Sequence, residues 1–377
     1  MKAKITGTLL IAGLILLLFR YHLKAEETAG VSITSASNPS PHHNYTDYKI
    51  KNRENVIAIG CQPLYLPTSL ITEAMKRDRV LGNALSELNM KSIFYSFLKG
   101  EDINFFLEMG DLDAGIAGDM SAIIAAATLD IIIPALIQQG FTSIIADRPM
   151  MMGELRGRNI GYVFGSNAHY ALLKALSSWG LNEDKVALVP MEAAEMPDAL
   201  ADGKIDAFSA GEPTPEIALT KHPECVVLHR HLSSGYVVFL KSFSDKHHEA
   251  VRQIVAAEIR AIRWMQSNRQ NLLQASEWVL EECAALSGRE LELSSVQYAA
   301  LALHDLIGIT SVPVIPRNDL RQNGLLYTEF IFLQAKGKIH ASINWDTVEN
   351  CFDNQIIFEV LDNQKKYRTD KFNYTTE

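Results

Sequence analysis

Polar residues and glycines stand at four places in this chain of 377 residues where a predicted strand ends or a predicted helix begins. Their amide, hydroxyl, imidazole and carboxylate groups can donate and accept hydrogen bonds. In open α/β sheets, ligands bind at the carboxyl ends of the strands. We therefore predict a ligand-binding site formed by ten residues: Gln62, Gly118, Asp119, Met120, Ser121, Ser166, Asn167, His169, Glu212 and Pro213.

A short motif occurs twice and divides the chain into two similar halves. Its copies are Gly110-Asp111-Leu112-Asp113-Ala114 and Gly203-Lys204-Ile205-Asp206-Ala207. Each copy follows a helical pattern and precedes a run of small and apolar residues. We expect the glycine to end the helix in the left-handed conformation, the last Asp to close the turn with its side chain, and a short buried strand to follow. Two such units predict two α/β lobes that face each other across a cleft.

Strand and helix patterns alternate in both halves of the chain, first over residues 56–146 and again from Asn159. Four separate strands are expected late in the two halves, at residues 129–138, 142–146, 225–228 and 236–240. From Asp245 onward the apolar spacing indicates helices. The alternation predicts an α/β fold of mixed, mostly parallel sheets with crossover helices.

Composition excludes several classes of function. The net charge of −9 and the lack of a basic run argue against a nucleic-acid-binding surface. The four cysteines are far apart, so neither a zinc knuckle nor a redox motif is expected; buried free thiols are favoured, and one or two disulfides are the alternative. No sequence motif of a serine hydrolase, a zinc protease or a phosphate-binding loop occurs. His229 and His231 lack a third ligand nearby, so we expect no metal, no cofactor and no catalysis.

Residues 1–25 have the form of an export signal, because Lys2 and Lys4 precede an uncharged apolar run. That run has about a dozen residues, fewer than the ~20 that span a bilayer as a helix. Leu23-Lys24-Ala25 is a poor cleavage site, so an uncleaved membrane anchor is the alternative. The rest of the chain is predicted to be extracytoplasmic, with residues 26–54 as a disordered linker and residues 365–377 as a charged tail that frays.

Five weak motifs occur together in a recognisable order: Ile59–Pro63, Gly110–Ala114, Leu155–Gly161, Gly165–His169, and Ala199–Ala207 continuing to Pro213. With them, residues 56 to about 360 resemble a periplasmic solute-binding protein of the nitrate/sulfonate/taurine type, a group that also contains binders of thiamine precursors. The resemblance implies a two-lobed type II periplasmic-binding-protein fold with a central cleft. It assigns residues 55–145 and 240–364 to one lobe and residues 146–239 to the other. It also implies hinge closure on a small solute and docking on an ABC transporter permease.

The charged residues of the candidate site limit the kinds of solute that it can bind. A helix N-terminus attracts anions, so the segment Ser166–His169 suits an anionic group. Asp119 is expected to cap its own helix, and Glu212 adds a second negative charge that repels an inorganic anion. We therefore expect a solute with an anionic and an amine end, such as a taurine-like sulfonate, with the amine near Asp119 or Glu212. An amine-bearing pyrimidine without an anion also fits, whereas nitrate and bicarbonate fit less well.

Several alternatives stay open at this stage. Ser166 is equally suited to be an ordinary helix N-cap, Gln62 to be a solvated loop residue, and His169 to lie on the helix surface. Relatives that synthesise a thiamine precursor use a cysteine-rich iron-binding run, and this sequence lacks one. A membrane-anchored sensor that reports to a partner protein has the same cleft as a transport protein, and the fate of residues 1–25 distinguishes the two.

Overall fold

The computed structural model describes residues 45, 48, 50, 54–306 and 313–375. In this part of the chain eight strands are found: β1 Val56–Cys61, β2 Lys91–Ser96, β3 Ala114–Gly118, β4 Ile131–Ala146, β5 Asn159–Tyr162, β6 Ala187–Pro190, β7 Ala207–Gly211 and β8 Val226–Leu240. The helices of the first half and of the middle of the chain are α1 Leu66–Lys76, α2 Arg79–Glu87, α3 Gly100–Glu108, α4 Asp119–Thr128, α5 Asn167–Ser178, α6 Met196–Ala201 and α7 Thr214–Lys221. The later helices are α8 Lys241–Lys246, α9 His248–Ser267, α10 Arg269–Ser287, α11 Ser295–Leu306, α12 Arg317–Leu320, α13 Leu325–Ala335, α14 Trp345–Glu349, α15 Gln355–Asp362 and α16 Gln364–Tyr367.

All eight strands form one hydrogen-bonded sheet in the order β2-β1-β3-β8-β4-β7-β5-β6. β1 pairs in parallel with β2 and β3, and β5 pairs in parallel with β6 and β7. The three central pairings, between β3 and β8, β8 and β4, and β4 and β7, are antiparallel. The sheet therefore contains two groups of parallel strands joined through β4 and β8. The predicted mixed, mostly parallel α/β fold is confirmed, but the expectation of separate sheets is wrong, because β8 pairs with β3 of one group and β4 pairs with β7 of the other.

β4 and β8 are each one long strand, whereas the sequence predicts two short strands in each place. Polar residues and a glycine in the middle of each strand, such as Gln139, Gly140 and Ser234, suggest loops between the short runs. In the structure these residues pair with each other across the ladder, Gln139 with Ser234 and Gly140 with Ser233. Most of both strands is buried, so the polar residues in their middles are buried as well, for example Gln138 and Ser234 at 0% exposure.

The repeated Gly-x-[Leu/Ile]-Asp-Ala motif has the same role in both halves. Gly110 and Gly203 have φ values of +70° and +68°, as the helix-ending prediction requires. The prediction that the Asp closes its own turn is wrong. Oδ2 of Asp113 accepts a hydrogen bond of 2.8 Å from the N–H of Ala58 in β1, and Oδ2 of Asp206 accepts one of 2.9 Å from the N–H of Asn159 in β5. Each Asp therefore fixes its strand against the neighbouring one.

The apolar core is divided in the same way as the parallel strands. The largest cluster of buried side chains draws on residues 57–137 and 237–367, with Ile254 and Trp278 among its members. Two smaller clusters draw on residues 144–228 and surround Leu172 and Phe208. The sheet thus carries separate cores on its two groups of strands.

The ends of the described chain are packed. Tyr48 lies in the predicted linker, most of which falls outside the described residues, yet its ring contacts those of Tyr95 and Phe97. The expectation that the tail frays from Lys365 is wrong for residues 365–375, because the Tyr374 ring lies 4.2 Å from Trp264 between centroids and the chain there bridges to Asp78. Aromatic burial outweighs the local charge of this segment.

Among the described residues, no helix has both the length and the apolar character needed to cross a membrane. The predicted signal or anchor at residues 1–25 lies outside the described residues.

Candidate ligand-binding cleft

A cavity of about 270 Å³ lies where β1, β3 and β5 end. It is the place that the strand order predicts, since parallel strands bring their carboxyl ends to one edge of a sheet. Seven of the ten predicted site residues are in its lining: Gln62, Gly118, Asp119, Met120, Ser121, Ser166 and Asn167. Both groups of parallel strands contribute to the wall.

Three helices begin at the wall of this cavity. Gly100, Asp119 and Asn167 are the first residues of α3, α4 and α5, and all three line the cavity. The first N–H groups of a helix lack intrahelical acceptors and carry the positive end of its dipole. Within the described residues, the N–H groups of Gly100, Asn167 and Ala168 make no backbone hydrogen bond. The cavity therefore presents backbone donors to an anion.

Asp119 is held by hydrogen bonds from three directions and is only 1% exposed. Its carboxylate accepts from the N–H groups of Met120, at 2.8 Å, and Ser234, at 2.9 Å. The Asn167 amide nitrogen donates to both carboxylate oxygens, at 3.1 and 3.0 Å. Burial raises the pKa of Asp119 to about 6, although the hydrogen bonds from Ser234, Met120 and Asn167 lower it. The N-cap of α4 is Gly118, which makes no side-chain cap hydrogen bond, so the capping role expected for Asp119 is reduced to its contact with the N–H of Met120. Its oxygens are already engaged by protein donors.

Gln62 and Ser166 line the cavity with side chains that also organise its wall. Gln62 Oε1 accepts from the N–H of Gly118 at 3.3 Å, so its amide nitrogen is the group left to meet a ligand. Ser166 is the N-cap of α5, because its Oγ accepts from the N–H of His169 at 3.2 Å. That hydroxyl donates to the carbonyl of Val163 at 2.7 Å. The N-cap alternative for Ser166 is therefore what the structure shows, at the edge of the cavity.

His169 is buried behind the cavity and does not line it. Its ring is 0% exposed and packs against Tyr162 and Phe332, and Nδ1 accepts from the N–H of Gly165 at 3.2 Å. Burial lowers the pKa of His169 to about 4, with a further contribution from Lys336, so the ring is neutral at pH 7. Ligand contact for His169 stays a prediction, and the surface position left open by the sequence is not the one found.

Glu212 and Pro213 also lie outside the cavity lining. Glu212 is 4% exposed, and its Oε2 accepts from the N–H of Glu216 in the first turn of α7 at 3.2 Å. The strand β7 that precedes it is separated from the cavity by Tyr65, whose ring lies against Gly211 and Gly118. Their contact with a ligand therefore also stays a prediction, and the second negative charge expected at the cleft is directed elsewhere.

The structure adds lining residues that the sequence did not single out. Thr142 of β4 donates from Oγ1 to Oδ1 of Asn167 at 2.8 Å. Phe164, Leu98 and Ile124 supply apolar wall. The glycine at the start of α3, Gly100, was a detectable signal, because a residue without a side chain lets two backbones approach.

Two acidic residues that line the mouth of the cavity, Glu101 and Glu192, are each paired with a lysine. Lys99 Nζ lies 2.7 Å from Glu192 Oε1, and these residues come from opposite groups of strands. Glu101 Oε1 lies 2.7 Å from Lys338 Nζ. Both pairs are partly exposed, so each contributes little stability by itself. Their effect on the cleft is to leave no unpaired acid at the described rim.

None of the four cysteines lines the cavity, and all are free thiols. Cys61 is the last residue of β1 and is 1% exposed, and burial raises the pKa of its thiol to about 11. In the described part of the chain, no group of three His, Cys, Asp or Glu side chains is placed to hold a metal ion. The lining offers hydrogen-bonding groups and apolar contact to a ligand.

Solved structures of other proteins have the same fold as this chain. The periplasmic aliphatic sulphonate binding protein SsuA from Escherichia coli superposes with a TM-score of 0.60 at 18% identity, over 78% of this chain and 92% of that one. The periplasmic nitrate-binding protein NrtA from Synechocystis PCC 6803 gives 0.60 at 10% identity, over 86% and 92%. A Cys-to-Ser mutant of the desulfurization enzyme DSZB, in complex with biphenyl-2-sulfinic acid, gives 0.53 at 16% identity, over 82% and 99%. The protein therefore has the fold of the periplasmic binding proteins.

Residues 105–280 match the model of the NMT1-like family. No curated protein sequence matches the chain significantly. The sulphonate-binding and nitrate-binding proteins among the matching structures are of the type that the five sequence motifs resemble.

Proposed function

We propose that the protein is an extracytoplasmic solute-binding protein that captures a small organic anion, with a sulfonate-like head and a short apolar tail, and delivers it to an ABC permease. The observation that supports it is the arrangement of three helix N-termini around a cavity in which Asp119, Glu101 and Glu192 already have protein partners. Each helix end stabilises an anion by about 0.3–1 kcal/mol when exposed and by up to ~2 kcal/mol when desolvated.

The size and wall of the cavity favour an organic anion over nitrate or bicarbonate. At ~30 Å³ per water, about 270 Å³ corresponds to on the order of nine waters. An inorganic oxyanion of four non-hydrogen atoms leaves most of that space unfilled. Leu98, Ile124 and Phe164 offer apolar contact to a short carbon chain. Since Glu212 is directed away and Asp119 is fully engaged, the amine end expected from the sequence has no free acid to bind, and a plain alkanesulfonate is preferred to taurine.

Delivery requires release, and we propose that release occurs by separation of two lobes. The lobes would be residues 55–145 with 240–364 and residues 146–239, each with its own apolar core and its own group of parallel strands. β4 and β8 would be the connection that bends. The same movement of the lobes would also serve a membrane-anchored sensor, so it does not distinguish a sensor from a transport protein.

Calorimetric titration of the full chain, purified in mild detergent, with butanesulfonate, taurine and nitrate tests the proposal. We expect butanesulfonate to bind most tightly and to raise the melting temperature, because a ligand at a hundred times its Kd adds ~2.7 kcal/mol to stability. Binding of nitrate with no binding of either sulfonate would contradict the proposed solute class. The variant Gln62→Glu keeps the acceptor for the Gly118 N–H but brings a negative charge to the cavity, so it should lose at least tenfold in affinity. Gln270→Glu makes the same change at an exposed position and should bind as the unmodified chain does.

A further inference from the structure

The Asn167 side chain is the point at which four elements meet behind the cavity wall. Its Oδ1 accepts from Thr142 in β4, and its amide nitrogen donates to Asp119 in α4. The same nitrogen donates to Oε1 of Glu329 in α13 at 3.1 Å. Since Asn167 is the first residue of α5, this network sets where the N-terminus of α5 faces the cavity.

Glu329 comes from a helix far away in sequence, and it is not part of the cavity lining. α13 packs against α4 and α5, and Tyr170 Oη donates to Thr328 Oγ1 at 2.8 Å beside it. Glu329 is 0% exposed. Within the described residues its second oxygen, Oε2, has no hydrogen-bond partner. An ionised carboxylate in that situation would lack solvation on one oxygen.

The charges that face Glu329 come from three neighbouring elements. Asp119 of α4 and Asp319 of α12 are acids, Lys174 of α5 is the base, and the Tyr236 hydroxyl of β8 is neutral at pH 7. Burial raises the pKa of Glu329 well above its usual range, Asp119 and Asp319 raise it further, and Lys174 opposes them. Glu329 and Asp119 share one amide nitrogen, so ionisation of both would place two negative charges beside the first turn of α5.

We propose that Glu329 is a positioning residue for ligand binding: as a neutral acid it accepts a hydrogen bond from Asn167 and so holds the N-terminus of α5 against the cavity without adding negative charge. The inference rests on the proposed function, because the group it positions is the one that meets the anion. Its consequence is a pH dependence of binding. Once Glu329 loses its proton, the new charge repels the bound anion, and affinity falls as the pH rises.

Three variants separate position from charge. Glu329→Gln keeps the acceptor and cannot ionise, and Glu329→Leu removes the acceptor. Glu258→Gln is the matched control, since Glu258 in α9 is also 0% exposed, has no hydrogen-bond partner among the described residues, and has a pKa raised by burial. Affinity for butanesulfonate is measured by calorimetry at pH 6, 7.5 and 9 for all four chains.

We expect Glu329→Gln and the unmodified chain to bind within twofold of each other at pH 6 and 7.5, because both present a neutral acceptor to Asn167 there. Asp119, whose pKa is raised to about 6, titrates alike in all four chains, so the chains are compared with one another at each pH. A fall in affinity at pH 9 that comes from Glu329 should be present in the unmodified chain and in Glu258→Gln and absent from Glu329→Gln. Glu329→Leu should bind at least tenfold more weakly at every pH. Tighter binding by Glu329→Gln than by the unmodified chain at pH 6 would mean that Glu329 is already ionised there, and would overturn the neutral-acid assignment. Unchanged affinity in Glu329→Leu would overturn the positioning role.

A ligand-free measurement keeps this inference separate from the proposed function. Amide exchange at His169 and Tyr170, whose N–H groups are bonded to Ser166, should accelerate in Glu329→Leu and not in Glu329→Gln. If butanesulfonate binds none of the chains, the proposed solute class fails, and the exchange rates alone then decide the positioning role: faster exchange in Glu329→Leu supports it, and unchanged exchange rejects it.

Discussion

Replacing Gly100 by alanine should weaken binding of butanesulfonate about fivefold. A Cβ at this position would lie 2.1 Å from Oγ and 2.7 Å from Cβ of Ser121, and 3.0 Å from Oε1 of Gln62. Carbon atoms in contact sit ~3.5–4.0 Å apart, so Ser121 must move by on the order of 1 Å. Overpacking of this kind costs about 1–3 kcal/mol, and displacement of one hydrogen-bonding group costs about 1 kcal/mol in binding, where 1.4 kcal/mol is tenfold.

Calorimetry gives the affinity, and denaturant unfolding gives the stability. The control is Gly82→Ala in the interior of α2, where an added Cβ meets nothing within 4 Å; it should stabilise the chain by ~0.5–1 kcal/mol and leave binding unchanged. The double variant Gly100→Ala, Ser121→Gly removes the clash and should recover part of both losses. If Gly100→Ala binds and unfolds as the unmodified chain does, the close approach of α3 and α4 at the cavity is not as described.

Three further predictions concern single contacts. Lys99→Ala should change the free energy of unfolding by less than about 0.5 kcal/mol, because the pair with Glu192 is partly exposed, yet should speed ligand release in stopped-flow measurements; unchanged release would mean that the pair does not hold the mouth closed. Asp78→Ala leaves the fully buried Arg260 without its 2.7 Å partner and should cost about 3–5 kcal/mol in urea unfolding, whereas Asp78→Ala with Arg260→Met should cost less. The folded-state pKa of His169 is lowered to about 4, below its usual value of ~6.5. The neutral ring therefore contributes its full stability above pH ~6.5, and that stability is lost as the pH falls toward 4. The melting temperature of His169→Phe should depend less on pH between these two values than that of the unmodified chain.

Local patterns were sufficient to predict most of the elements and the place of the cavity. Gly118–Asp119 and Ser166–Asn167 each follow a short buried strand, and parallel pairing brings the ends of such strands together. The repeated motif also predicted its two left-handed glycines, because a positive φ at a helix end selects for glycine.

The remaining features depend on contacts that a local pattern does not contain. Glu212 follows β7 as Asp119 follows β3, yet its carboxylate caps α7 and the ring of Tyr65 lies between β7 and the cavity. The network behind Asn167 needs Glu329, which is 162 residues away and sits in a helix with no polar motif. The sequence predicts two short strands in place of β4 and two in place of β8, because the polar residues in the middle of each are typical of loops. These residues are in strands because β4 and β8 pair with each other there.

The packed C-terminal segment decides how the protein can be handled. Because Asn373 accepts a hydrogen bond from the N–H of Arg79 at 2.9 Å and Tyr374 covers Trp264, residues 373–375 support the start of α2. Truncation before Asn373 would uncover an indole and loosen the helix beside the Asp78–Arg260 pair. Affinity tags, fluorescent fusions and immobilisation linkers therefore need a spacer after residue 375, so that the contact between Tyr374 and Trp264 stays intact.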